Sequence, residues 1–152
     1  MPGLSDLFTT IRAGVPNVIG MDIALTGTTI EIVAKDLRRT LEFYRLLGLA
    51  VPEPEGAPHV EAELPGGSLL AFDTEETIAG MHPGWTPPVS AGRVALAFRV
   101  GSPDQVDALY ERLTTAGHSG ALEPFDAPWG QRYATVTDPD GTSVDLFAPL
   151  PS

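Results

Sequence analysis

Cysteine is absent from this 152-residue chain, which excludes disulfide staples, thiolate nucleophiles and Cys-ligated metals. Basic residues are scarce, with nine Lys and Arg against twenty Asp and Glu and a net charge of −11. Binding a phosphate backbone needs a clustered basic surface, so nucleic acid is not an expected partner. An acidic field favours cationic or weakly basic ligands instead. No run of about eighteen apolar residues occurs, so neither a membrane span nor a membrane partner is expected. Met1 to Gly20 lacks a basic start, and Asp6, Arg12, Gly14 and Pro16 interrupt any apolar stretch. No signal peptide is expected there, and the expected compartment is the cytoplasm. A Ser–His pairing, a phosphate-cradling glycine loop and a cofactor fingerprint are all missing, so no cofactor is expected.

What remains is the composition of a folded domain, 43% apolar and 7% aromatic, at a length that buries one core. Residues 1–27 read as an N-terminal extension. Leu4, Leu7, Phe8 and Ile11 recur there at helical spacing behind Ser5-Asp6 and predict a short amphipathic helix. Residues 28–151 read as one domain containing the same order of elements twice. In the first unit, 28–77, alternation predicts a strand over Thr29 to Lys35, with Asp36 as a helix N-cap. Leu37, Leu41, Tyr44 and Leu47 form the helical stripe, and Gly48 closes it. After Pro-rich punctuation at 52–58, strands are predicted over His59 to Leu64 and Ser68 to Asp73, joined by Pro65-Gly66-Gly67. Residues 78–92 are a Pro- and Gly-bearing linker. The second unit, 93–150, has a strand over Arg93 to Val100 and a helix opened by Ser102-Pro103-Asp104. Val106, Leu109, Tyr110 and Leu113 are its stripe, and Gly117 its stop. Strands at Gln131 to Thr137 and Thr142 to Phe147 flank the turn Asp138-Pro139-Asp140-Gly141. A strand-helix-strands unit recurring at this length implies an internal duplication.

The run Ile30-Glu31-Ile32-Val33-Ala34-Lys35-Asp36-Leu37, leading into Phe43-Tyr44-Arg45-Leu46-Leu47-Gly48-Leu49, resembles the first module of the glyoxalase/bleomycin-resistance/dioxygenase (vicinal oxygen chelate) superfamily. Trp129-Gly130-Gln131-Arg132-Tyr133, Asp138-Pro139-Asp140-Gly141 and Val144-Asp145-Leu146-Phe147 resemble the end of its second module. The resemblance spans residues 29–149. It implies an α+β fold of two tandem βαβββ modules, their curved mixed sheet wrapped around a cleft, and a homodimer. Ala57-Pro58-His59-Val60-Glu61-Ala62, Asp73-Thr74-Glu75-Glu76-Thr77 and Phe147-Ala148-Pro149-Leu150-Pro151 resemble the antibiotic-binding members, the mitomycin-resistance type above all.

Metalloenzymes of that superfamily hold a divalent ion at fixed strand positions. Here those positions fall on Thr29, Ala95, Asp145 and a place near Leu70 or Ala71. A divalent ion needs three or four converging N or O donors, and only Asp145 is a strong one, so no metal is expected. His59, Glu61 and Glu63 share one strand face, but they are about 7 Å apart per step and diverge. They read as a solvated or hydrogen-bonded face. His82 and His118 read as exposed.

With Ile30, Ile32, Leu96, Phe98, Val144 and Leu146 under the helices, the opposite face carries Thr29, Glu31, Val33, Ala95, Ala97, Arg99, Asp145 and Phe147. Such a cup, with a few polar groups among small and apolar ones, suits a small organic ligand. Glu31, Arg99 and Asp145 are expected to pair with one another, with water or with the ligand. Their plain alternative is a network that stiffens the sheet. The resemblance implies that Trp129 walls or stacks on the ligand, and Phe72 and Trp85 are further wall candidates. Tyr44 and Tyr110 belong to the core, and the Asp138–Gly141 turn needs no chemical role. The function expected is metal-independent sequestration of a planar or cationic antibiotic-type molecule. A lyase, isomerase or dioxygenase working through Glu31 or Asp145 is the alternative. A third reading has the N-terminal segment, with Leu4, Phe8 and Ile11, filling the cup.

Overall fold

A computed structural model describes residues 10–14, 26–89 and 93–152. The predicted helix of the extension lies outside these, apart from its last residue, Ile11, which is exposed. The elements run β1 (Thr29–Ala34), α1 (Leu37–Leu47), β2 (His59–Glu63), β3 (Leu69–Thr74), α2 (Glu75–Met81), β4 (Ala95–Arg99), α3 (Pro103–Thr115), β5 (Ser119–Ala127), β6 (Gln131–Thr137) and β7 (Ser143–Pro149). They form two mixed sheets, β1-β3-β2 and β4-β7-β6-β5. In each, the first strand of the unit lies parallel to the last, β1 with β3 and β4 with β7, and the remaining pairs are antiparallel. The duplication read from sequence is therefore a duplication of topology.

Local chemistry sets both long helices. The Asp36 carboxylate accepts the Arg39 N–H, and Gly48 takes the left-handed conformation (φ 117°) that closes α1. A side chain there would be strained, so glycine ends the helix. Ser102 caps α3 by accepting from Gln105 N–H, and Pro103 sits in its first turn, where a missing N–H costs nothing. α1 buries Thr40, Leu41, Phe43, Tyr44 and Leu47, and α3 buries Val106, Leu109 and Leu113. These pack on Ile32, Leu70 and Phe72 of one sheet and on Leu96, Ala134, Val136, Val144 and Leu146 of the other. The alternation expected from sequence is thus observed in β1, β2, β6 and β7, while β3 is buried on both faces from Leu70 to Asp73.

The structure departs from the expected pattern in three places. Between α1 and β2, residues 48–58 form no strand, so the first unit is βαββ. Pro52, Pro54 and Pro58 cannot donate to a ladder there. The second unit does have all four strands. Its additional one, β5, carries Gly120 and Pro124 and pairs with β6 through register shifts at Gly120/Leu122 and Leu122/Phe125. A Cβ on Gly120 would run into the Tyr110 hydroxyl, so glycine leaves room for that side chain of α3 against β5. The expected boundary between unit and linker at 77/78 falls inside α2, which is capped by Thr74, whose hydroxyl accepts from Thr77 N–H.

The turn Asp138-Pro139-Asp140-Gly141 does more than reverse the chain. It belongs to the second unit, yet its carboxylates bind the start of α1 in the first. Asp140 accepts from Lys35 N (3.0 Å) and from the Thr40 hydroxyl (2.5 Å), and Asp138 accepts the Tyr44 hydroxyl (2.7 Å). The other Asp138 oxygen takes the N–H groups of Asp140 (2.9 Å) and Thr142 (2.8 Å). Tyr44, Thr40 and Asp138 are all buried. Burial, then the neighbouring Asp138 carboxylate, pushes the Tyr44 phenol up, so it stays a donor. His118, expected to be exposed, is half-buried and meets Phe43 edge-on at 4.9 Å. Burial first, and then Arg39, pull its pKa below the ordinary value.

On the open face of the first sheet, His59 bridges two carboxylates, with Nδ1 at 2.6 Å from Asp73 and Nε2 at 3.0 Å from Glu61. These hydrogen bonds, Glu61's first, raise its pKa. Replacing Tyr44 with Phe should cost about 1–3 kcal/mol, because the buried Asp138 loses a donor. A lower urea midpoint at unchanged slope reads this out, and an unchanged midpoint would deny the contact. For His59, a raised folded pKa means that its stabilisation is complete below about 6.5 and is lost as pH rises through the folded value. Melting temperature should therefore fall across that window more steeply in the parent than in His59→Gln. Parallel pH profiles would show that the bridge contributes nothing.

Candidate functional site

The open face of the four-stranded sheet brings together residues from every strand. Ala95, Ala97 and Arg99 come from β4, Ser143, Asp145 and Phe147 from β7, and Tyr133 and Thr135 from β6. β5 contributes Leu122 and Phe125, which pair with Thr135 and Tyr133. Ala97 lies across from Asp145 on one side and Thr135 on the other, so a small residue leaves the carboxylate room. Asp145 accepts the Tyr133 hydroxyl at 2.6 Å and the Thr135 hydroxyl at 2.8 Å. Burial, followed by that hydrogen bond to Asp145, pushes the Tyr133 phenol up to about 12. It therefore remains a donor at any physiological pH, and Asp145 is an oriented acceptor.

Beside this acceptor stands an aromatic group. Trp129 lies in the turn between β5 and β6, where Gly130 N–H bonds back to Ala127. Its ring meets Tyr133 edge-on at 5.3 Å and Phe125 edge-on at 6.1 Å, and Phe125 and Tyr133 are 6.3 Å apart. Its indole N–H donates to Gln131 Oε1 (3.0 Å), and 39% of the residue is exposed. Phe147 pairs with Tyr133 in register. The result is an indole and two rings held edge-on to one another next to a fixed carboxylate, a surface that can stack on a flat ligand and accept its N–H or O–H groups.

The residues marked from sequence divide among four places. Trp129, Asp145, Phe147 and Arg99 share the open face just described. Glu31 and Trp85 line a cleft of about 750 Å³ between β1 and β4. Thr29 is exposed at the start of β1. Phe72 faces the other way, fully buried beneath α1 with its ring 5.1 Å from Tyr44. The expected mutual pairing of Glu31, Arg99 and Asp145 does not form among the described residues. Glu31 belongs to the other sheet, Arg99 pairs across from Phe147, and Asp145 turns to hydroxyls on β6.

Tyr133 and Thr135 complete the site and were not marked from sequence, although a signal for them exists. Counting outward from the Asp138–Gly141 turn pairs Thr137 with Ser143 and Thr135 with Asp145. Phe125 gave no such signal, because its strand was not legible.

The superfamily's metal positions do not fit an ion here. Leu70 and Ala71 are buried apolar residues, Ala95 has no donor, and Thr29 stands alone. Asp145 already accepts two hydroxyls. Among the described residues, no group of three or more His, Asp or Glu side chains is arranged to hold a metal. His59 uses both ring nitrogens on Asp73 and Glu61. No described helix is long and apolar enough to cross a membrane.

Comparison with known proteins agrees with this geometry. A structure from Nocardioides described as a glyoxalase/bleomycin resistance protein/dioxygenase is 26% identical, with a TM-score of 0.64, over 95% of this chain and 89% of its own. A glyoxalase/bleomycin resistance protein/dioxygenase family enzyme from Burkholderia phytofirmans PsJN is 20% identical, with a TM-score of 0.71, over 81% and 98%. TioX from Micromonospora sp. ML1 is 22% identical, with a TM-score of 0.55, over 82% and 99%. No curated protein matches the sequence. The family profile described as the Glyoxalase/Bleomycin resistance protein/Dioxygenase superfamily matches residues 28–146. With a matching profile over most of its length and the paired β-α-β units to go with it, the chain belongs to the glyoxalase/bleomycin resistance protein/dioxygenase superfamily.

Proposed function

We propose that the protein binds a flat, antibiotic-type small molecule on the open face of the β4-β7-β6-β5 sheet and sequesters it unchanged. The observation that carries this reading is the Phe125–Trp129–Tyr133 group set beside the hydroxyl-anchored Asp145. Aromatic stacking supplies about 0.5–1.5 kcal/mol per contact beyond area burial. A carboxylate already oriented by two hydroxyls accepts a ligand N–H without further ordering cost. The flanking Ala95 and Ala97 keep the floor low, so a planar ring system can approach the sheet. Bleomycin resistance proteins are named in the description of the superfamily, which agrees with a binding role. Asp145 and Tyr133 are more suited to recognition than to turnover, since the Tyr133 phenol, pushed up to about 12, is a poor proton shuttle near neutrality.

Calorimetric titration with a mitomycin-type quinone should show saturable binding, micromolar or tighter, and the quinone should be recovered with its mass unchanged. Trp129→Ala should weaken that binding about tenfold or more, equivalent to about 1.4 kcal/mol. Equal affinity in the variant would remove the aromatic group from the site. A converted quinone, or stoichiometric divalent metal in protein purified without chelator, would replace sequestration with the enzymatic alternative.

A further inference from the structure

Gln131 stands at the start of β6, on the same face as Tyr133 and Thr135, since alternate residues of a strand share a face. Its cross-strand neighbours are Ala127 on β5 and Pro149 on β7, and neither carries a polar side chain to compete for the Gln131 amide. Instead the Oε1 atom accepts the indole N–H of Trp129 at 3.0 Å. An indole nitrogen can only donate, which decides the end of the amide that faces the ring. The oxygen lies toward Trp129, and the NH2 group turns away from it with two donors to give.

Other donors around the aromatic group are already committed. The Tyr133 and Thr135 hydroxyls both go to Asp145, and the indole's single N–H goes to Gln131. Gln131 Nε2 has no hydrogen bond among the described residues. Arg99 is two strands away, on β4. The aromatic group is thus bracketed along β6. An uncommitted donor stands at residue 131 and the fixed acceptor opposite residue 135, about 13 Å away at about 3.3 Å per residue. A ring already held by its N–H has lost its freedom before a ligand arrives, which removes an ordering cost from binding. A site donor left without an acceptor penalises a ligand that brings none.

We infer that Gln131 is a specificity-determining residue of this face. Its amide oxygen sets the Trp129 ring, and its amide NH2 selects flat ligands that carry a carbonyl on the edge beside that ring. This rests on the sequestration reading for the ring itself, and adds the residue that orients the ligand and the group the ligand must bring. Gln131 is half-buried, so water competes for the NH2 and the selection is about tenfold rather than absolute.

The test compares Gln131→Glu, which keeps an oxygen for the indole N–H and loses the NH2, with Gln131→Met, which offers neither. Both are made in the full chain carrying Trp85→Phe, so that Trp129 is the one tryptophan left of two. The near-UV circular dichroism of that indole should survive in Gln131→Glu and be largely lost in Gln131→Met, while far-UV spectra report whether each variant folds. Equilibrium dialysis then measures 9-fluorenone against fluorene, the same flat skeleton without the carbonyl. The Trp85→Phe parent should hold fluorenone about tenfold more tightly. Gln131→Glu should bring the pair within about twofold by weakening fluorenone alone, and Trp129→Ala should weaken both. An indole band unchanged in Gln131→Met, or a fluorenone preference that persists in Gln131→Glu, would overturn the assignment. Equal binding of the pair to the parent, with both weakened by Trp129→Ala, would also overturn it and leave the sequestration reading standing. No saturable binding of either compound would remove both.

Discussion

The arrangement depends on one polar contact between its halves, the grip of the β6–β7 turn on the start of α1. Each unit buries one face of its sheet under its own helix, and the two cores join in one cluster, with Phe43 against His118 and Arg112 donating to Leu46 O across the seam. The Asp138 and Asp140 carboxylates add the directional contacts that fix the register. They take up Lys35 N, the Thr40 hydroxyl and the Tyr44 hydroxyl from the first unit, and Asp138 also accepts the N–H groups of its own turn. A buried carboxylate is stable only when its lone pairs are met. Here they are met by groups from both units, so the register between the units is the condition for burying the charge.

That grip also decides where the cleft lies. By holding the β6–β7 turn against the end of β1, it brings the entry of β4, opposite Ser143 in β7, near the exit of β1. Asp140 and Thr142 consequently form part of the cleft wall. The residue that joins the units is thus also a border of the space between them. Asp140 contributes charge there while committed to Lys35 and Thr40.

Much of this was legible in the sequence, and the failures have physical causes. The strands β1, β4, β6 and β7 could be read because one face is buried and period-two alternation is then obligatory. The same alternation correctly put Thr29, Glu31, Arg99, Asp145 and Phe147 opposite the core face. β5 was invisible because it is mostly exposed and broken by bulges around Gly120 and Pro124, so no apolar period marks it. α2 was hidden by its brevity, with Ile78 as its one buried residue. Phe72 was misplaced for a subtler reason. Both faces of β3 are buried, from Leu70 to Asp73, and a strand covered on both sides has no alternation from which to choose a face. The Asp138–Gly141 turn was read as a turn and nothing more, since turn propensity and a long-range contact use the same residues.

Duplication gave two sheets with one topology, and their open faces show how far the copies have separated chemically. In the first, His59 is fastened between Asp73 and Glu61, and the surrounding positions on that face are Glu31, Glu63, Thr29 and Val33. In the second, the corresponding area carries Phe125, Trp129, Tyr133 and Phe147 around a single carboxylate. The His59 bridge, satisfied from within, has little to gain from a ligand, because any new contact must first displace an existing hydrogen bond. An aromatic surface with 39% of its indole residue still exposed gains from being covered. The same backbone therefore carries a fastened polar bridge in one copy and a partly exposed aromatic group in the other, a difference of side chains rather than of fold.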